Sequence, residues 1–171
     1  MYILSQIFIV ISGILFALSY LFEKKGLILI INVFNNLFFA IHFLLLKSFT
    51  ASYSVFVIAF FLIIIYFLDK YNKKHYKLLS LIIALILVII ISIFTWESAL
   101  SLLPICATTF NLVGTILNKT LTVKLFYFFG TVLNTIFMFI ITSYFGFGIN
   151  IAILIVGAVG IINHLRFTKK V

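Results

Sequence analysis

Long apolar runs broken by short polar segments dominate the chain. Seven stand out: Tyr2 to Phe22, Leu27 to Leu46, Thr50 to Leu68, Leu78 to Phe94, Ala99 to Leu117, Leu121 to Ile141, and Ile149 to Phe167. A helix crosses the roughly 30 Å hydrocarbon core with about 20 residues, which is the scale of these runs. They are continuous rather than alternating, which excludes a transmembrane β-barrel. The separators are polar and short: Glu23 to Gly26, Lys47-Ser48, Asp69 to Lys77, Thr95 to Ser98, Asn118 to Thr120, and Thr142 to Gly148. The pattern predicts an all-α integral membrane bundle of seven transmembrane helices. The first run has neither a basic leader nor an Ala-x-Ala-type cleavage site, so it reads as a span and not as a signal peptide.

Composition narrows the class further. Of the 171 residues, 65% are hydrophobic and 9% charged. A soluble domain carries about 25% charged residues, so a water-soluble globule is excluded. Disorder is excluded by the same apolar excess. With Cys106 as the one cysteine, no internal disulfide forms. A net charge of +9 would suggest nucleic acid in a soluble protein. Here the basic residues sit at the ends of apolar runs, so no nucleic acid partner is expected and the bilayer is the partner. With seven spans, the face that holds the N-terminus has one basic residue, Lys47, and the other has eleven. Basic loops stay in the cytoplasm. The expected localisation is therefore a bacterial inner membrane, with the N-terminus outside and the C-terminus cytoplasmic.

The fourth run differs from its neighbours. It is nearly all Leu, Ile, Val and Ala, with Ser80 and Ser92 as its only polar side chains. Such a helix can face lipid all round. The runs on either side are richer in Asn, Thr, Ser and Gly. This suggests a 3+1+3 arrangement: residues 1–68 as one triple-helix bundle, 69–98 as a basic loop plus linker helix, and 99–171 as a second bundle. A shift of 95 places Glu23-Lys24 on Asn118-Lys119, Phe34 on Phe129, Ile41 on Ile136 and Ser48 on Ser143. One connector between two trios makes them parallel repeats, as in some transporters.

Three segments carry a family resemblance: Ile41-His42-Phe43-Leu44-Leu45, Glu97-Ser98-Ala99-Leu100-Ser101-Leu102-Leu103-Pro104, and Asn163-His164-Leu165-Arg166-Phe167. On these the chain resembles the YgjV family of bacterial inner-membrane proteins. The helix layout is similar to the SWEET, PnuC and PQ-loop transporter clan. The resemblance implies two triple-helix bundles and a small-solute transporter. The clan's Pro-Gln pair is absent, since Pro104 is the one proline and Ile105 follows it. The equivalent of Pro104 in the first repeat is Ile9, so the proline-hinge mechanism does not carry over in full.

Polar groups inside lipid are costly and tend to face protein or water. At 100° per residue, Asn32, Asn35, Asn36 and His42 fall in an arc of about 120° that includes Phe39. Thr131, Asn134, Thr135, Met138 and Thr142 form a similar arc in the sixth run. Ser101, Pro104, Thr108, Asn111 and Thr115 span about 80° in the fifth. Convergence of the three stripes would make a central cavity. Its expected solute contacts are Asn36, Phe39, Thr108, Asn111, Thr131 and Asn134, the amides bonding a neutral polar solute and Phe39 stacking on a ring. The competing reading is that these groups only bond across to neighbouring helices. Pro104 is a candidate hinge, or else a first-turn proline or static kink. His42 is a candidate gate, or else an interfacial histidine capped by water.

Glu23, Asp69 and Glu97 are the only acids, and all lie in loops. A proton or sodium symporter usually holds its ion on an intramembrane carboxylate, so downhill movement is expected. No HExxH, GxSxG, Walker or CxxC motif occurs, so no enzyme, metal or cofactor is expected. The reading is a passive facilitator of a small neutral polar metabolite. The alternative is a non-transporting scaffold or partner-binding bundle, and an oligomer is compatible with either. A central cavity would favour the first, and amides all paired to neighbouring helices the second.

Overall fold

The computed structural model describes residues 2–73 and 75–168, with side chains through 166. The apolar runs form seven helices: α1 Tyr2–Leu21, α2 Lys25–Leu45, α3 Phe49–Lys70, α4 Tyr76–Phe94, α5 Leu102–Ile116, α6 Thr120–Ile140 and α7 Tyr144–Thr168. All seven spans, the fifth counted from Ala99, are long and apolar enough to cross a membrane. A 3₁₀ turn, Ala99–Ser101, precedes α5. The largest departure from the sequence pattern is α7, which begins five residues before the predicted Ile149. The Phe147 amide donates to the Ser143 carbonyl at 2.8 Å. Gly146 and Gly148 therefore lie inside the helix and not in a loop.

Six helices close a ring. Contacts run α1–α2–α3–α5–α6–α7 and return from α7 to α1. The fourth helix lies outside, against α3 and α5. Leu81, Ala84 and Val88 from α4 join Leu29, Ile58, Leu62, Ile65 and Leu112 in an apolar core that seals the α3–α5 seam. The α1–α7 seam is sealed differently, by close approach. A Cβ on Gly160 would lie 3.0 Å from the Tyr20 carbonyl oxygen, and one on Gly13 would lie 2.4 Å from Ile149 Cγ2. Only glycine lets these two helices meet at this distance.

The helix ends divide into two faces. At one, α2 and α6 each end in a tight turn whose next residue is left-handed, Lys47 at φ 61° and Thr142 at φ 57°. In each turn a bond spans the helix end, Ser48 N–H to the Phe43 carbonyl and Ser143 N–H to the Met138 carbonyl, both at 3.0 Å. This is the Schellman arrangement, usually built on glycine. On the same face, Glu97 Oε1 accepts from the Phe49 and Thr50 amides at 2.6 and 3.3 Å. That satisfies donors at the start of α3 which the helix itself leaves unpaired.

The opposite face is basic and is held by the other two acids. Glu23 pairs with Lys124 at 3.0 Å and with His164. Asp69 pairs with Lys25 at 3.1 Å and with Lys77. Glu23 ties the α1–α2 loop to α6 and α7, and Asp69 ties the end of α3 to the starts of α2 and α4. Two apolar clusters lie inward of the faces. Phe39, Phe43, Val55, Phe137 and Met138 belong to one, and Tyr20, Ile28, Val123, Tyr127 and Ile153 to the other.

Candidate functional site

Between the two apolar clusters the six ring helices enclose a polar chamber. Every ring helix contributes to its wall: Ser12 and Phe16 from α1, Asn32, Asn35, Asn36 and Phe39 from α2, and Val55 and Ile58 from α3. The other side is formed by Asn111 of α5, Tyr127, Thr131 and Asn134 of α6, and Asn150 and Ile153 of α7. No charged side chain is among them. The space open to the centres of water molecules is about 30 Å³. One water needs at least roughly 10–15 Å³ by this measure, so the chamber has room for about two.

Of the residues singled out from the sequence, Asn36, Phe39, Asn111, Thr131 and Asn134 line the chamber together. Thr108 does not. It is buried one turn before Asn111 but outside the wall. Pro104 is the third residue of α5. Its missing N–H falls in the first turn, where a helix has no internal acceptor to offer. His42 is fully enclosed rather than interfacial, at 0% exposure. Its Nδ1 lies 2.8 Å from the Ser5 carbonyl oxygen, so that nitrogen carries the hydrogen and donates. Its ring is parallel to that of Phe39, with centroids 6.3 Å apart. It therefore braces Phe39 from behind.

Several wall residues escaped the sequence reading. Asn150 did so because the seventh helix was started too late, which put this amide at the edge of the span. Started at Tyr144, the helix carries Asn150 into its second turn, facing inward. Phe16 and Tyr127 gave no signal, because 22 Phe and 8 Tyr in one chain do not announce which of them face a cavity. Ser12 was equally inconspicuous as one hydroxyl in an apolar run.

Hydrogen bonding divides the amides of the chamber. Asn32 Nδ2 donates to the Ile28 carbonyl at 2.9 Å, and Asn36 Nδ2 to the Asn32 carbonyl at 2.6 Å. Asn35 Nδ2 donates to Asn32 Oδ1 at 3.2 Å, and Asn35 Oδ1 accepts from Ser12 at 2.7 Å. Most of these bonds stay within α2 itself, and only the Ser12 bond crosses to another helix. By contrast Asn111 Oδ1 and Asn150 Nδ2 are buried with no partner. Asn134 makes no side-chain hydrogen bond among the described residues.

A second, wider cavity opens at the face opposite the basic one. It has about 290 Å³ for water centres and is lined by residues including Tyr2, Lys47, Ser48, Glu97, Thr142 and Ser143. About 10 Å of helix, Phe39 to Leu46 on α2, separates the chamber from this vestibule. Phe43, Phe137 and Met138 fill that interval, all 3% exposed or less. The Phe43 and Phe137 ring centroids are 5.8 Å apart. Among the described residues no cluster of three or more His, Cys, Asp or Glu could hold a metal.

The family model Imp-YgjV, described as a bacterial inner membrane protein, matches residues 3–168. No curated protein and no solved structure matches the chain.

Proposed function

The chain belongs to the Imp-YgjV family of bacterial inner membrane proteins, and from that premise we propose that it is a passive facilitator. It moves a small neutral polar solute through the chamber between two parallel three-helix repeats. The basic face is cytoplasmic, which puts the N-terminus outside, and the vestibule is the outer mouth.

The observation that carries this reading is the position of the chamber on a 95-residue repeat. Moving by 95 takes Lys25–Leu45 onto Thr120–Ile140, and Leu21 onto Ile116, helix end for helix end. It takes left-handed Lys47 onto left-handed Thr142. It also pairs the wall: Phe16 with Asn111, Asn32 with Tyr127, and Asn36 with Thr131. Phe39 pairs with Asn134, Val55 with Asn150, and Ile58 with Ile153. The vestibule follows the same rule, with Tyr2 pairing with Glu97, Lys47 with Thr142 and Ser48 with Ser143. The two cavities are lined largely by residues paired under this shift, which supports a twofold relation between the halves with a path across the membrane along its axis. Parallel repeats related by an axis along the membrane normal are an established transporter plan.

A chamber for two waters is closed to a metabolite, so the ring must widen when solute binds. The uncharged wall disfavours ions, whose charge would find no counter-charge there. A non-transporting scaffold is the second reading, and the small chamber is what favours it. Purified protein in liposomes decides between them. Labelled neutral sugars, nucleosides, nucleobases and vitamins are offered outside, and uptake is compared with empty liposomes. Faster uptake of at least one compound, saturating with concentration, is expected. Identical rates for the whole panel would overturn the carrier and leave the scaffold.

A further inference from the structure

Resting on the carrier reading, we infer that the solute is a neutral planar heterocycle. Its hydrogen-bonding edge lies on the second half of the chain and its apolar face on the first. The inference comes from which amides are already engaged. In the first half, all three Nδ2 groups of Asn32, Asn35 and Asn36 donate within α2. These bonds shape that helix and, of the three acceptors, leave only Asn36 Oδ1 unengaged. In the second half, Asn111 Oδ1, an acceptor packed against Gly130, and Asn150 Nδ2, a donor on a residue 3% exposed, are both buried without a partner. Asn134 stands between them on α6 with its amide unengaged.

The repeat shows what faces these three amides. Their equivalents in the first half are Phe16, Phe39 and Val55, all apolar. At each of these positions one side of the axis carries an amide and the other a ring or a branched alkyl group. A guest that fits has one greasy flat face and one edge with both a donor and an acceptor. A lactam-bearing ring meets both demands. A polyol carries hydroxyls all round its rim and would bury some against Phe16 and Val55 without partners, which is costly. An ion finds no counter-charge. Gly130 belongs to the same design: a Cβ there would lie 2.5 Å from Asn111 Oδ1, so its bare backbone leaves room for that amide.

The test uses the full chain in liposomes with the same panel, including labelled uracil, hypoxanthine and myo-inositol. Uracil or hypoxanthine should enter faster than into empty liposomes, and myo-inositol should not. Asn134→Leu and Asn150→Leu should each cut the rate about tenfold, and Asn36→Leu less than threefold. Asn134→Ala replaces the leucine variant if that one fails to fold. Uptake of any other panel compound in place of the two heterocycles overturns the ligand class and leaves the carrier standing. Equal losses in Asn36→Leu and Asn134→Leu overturn the wall assignment. No uptake of any panel compound overturns the carrier reading itself, and this one with it.

Discussion

The two walls of the chamber differ in what their amides do. On α2, three asparagines bond to one another and to their own helix, with Ser12 as the link to α1. On α5, α6 and α7, Asn111, Asn134 and Asn150 face the same space with polar atoms unused. A buried polar group without a partner costs about 1–3 kcal/mol. The first wall is therefore satisfied within the protein, and the second is not. On the proposed carrier reading, this cluster of idle amides in a cavity shared among three helices is where a guest would bind. The sequence alone could not separate the walls, since the second, fifth and sixth runs each read as one polar stripe.

Stability should split along the same line. Asn32→Leu removes two side-chain bonds and strands Asn35 Nδ2 in an apolar setting. It should lower unfolding free energy by about 2 kcal/mol, within the range for a buried polar group that loses its partner. Asn150→Leu removes an unpartnered donor and should leave stability unchanged or raise it. Unfolding of both variants in detergent, followed by circular dichroism, measures the difference. Similar losses in the two would mean that the second wall is as structural as the first.

An exchange across the axis sharpens the contrast at lower amplitude. Asn134→Phe puts rings on both sides and should weaken heterocycle binding about tenfold, the equivalent of about 1.4 kcal/mol. Adding Phe39→Asn restores one amide and one ring, now transposed. If the halves are equivalent about the axis, the double variant should recover to within about threefold of the original. Equilibrium binding to detergent-purified protein reads this directly. A double variant as weak as the single one would show that the halves are not interchangeable at this level.

The seven spans were legible because they are long uniform runs of the kind the bilayer imposes. The wall was legible where polarity is rare, as at Asn36, Asn111 and Asn134, since one amide in an apolar helix has few places to point. It was illegible where the chamber uses common residues, such as Phe16 and Ile58. It was also illegible where a helix start was misjudged by five residues, as at Asn150. His42 shows another limit. A histidine near a helix end suggests the interface, and only the neighbouring Ser5 carbonyl explains how it is accommodated inside. Whether an amide is engaged or idle depends on rotamers and register, which no stripe on a helix wheel reports.

The smallest expected effect concerns how the two halves are tied at the basic face. Glu23, between α1 and α2, reaches Lys124 on α6 and His164 on α7, and its backbone carbonyl accepts from Thr120 at 3.2 Å. Burial alone would raise its pKa, but hydrogen bonds from Lys124 and His164 outweigh that and hold the carboxyl below its ordinary value. A depressed folded-state pKa means the contribution is complete above the unfolded value and fades as pH falls through the folded one. The melting temperature of the native chain should therefore approach that of Glu23→Gln as pH drops from 5 toward 3. The gap between them should be constant from 5 to 6. The side chain of Glu23 is 59% exposed, so water and salt compete for it, and the gap should be narrower than that opened by Asn32→Leu. A gap that widens on acidification would mean that this carboxylate does not join the halves.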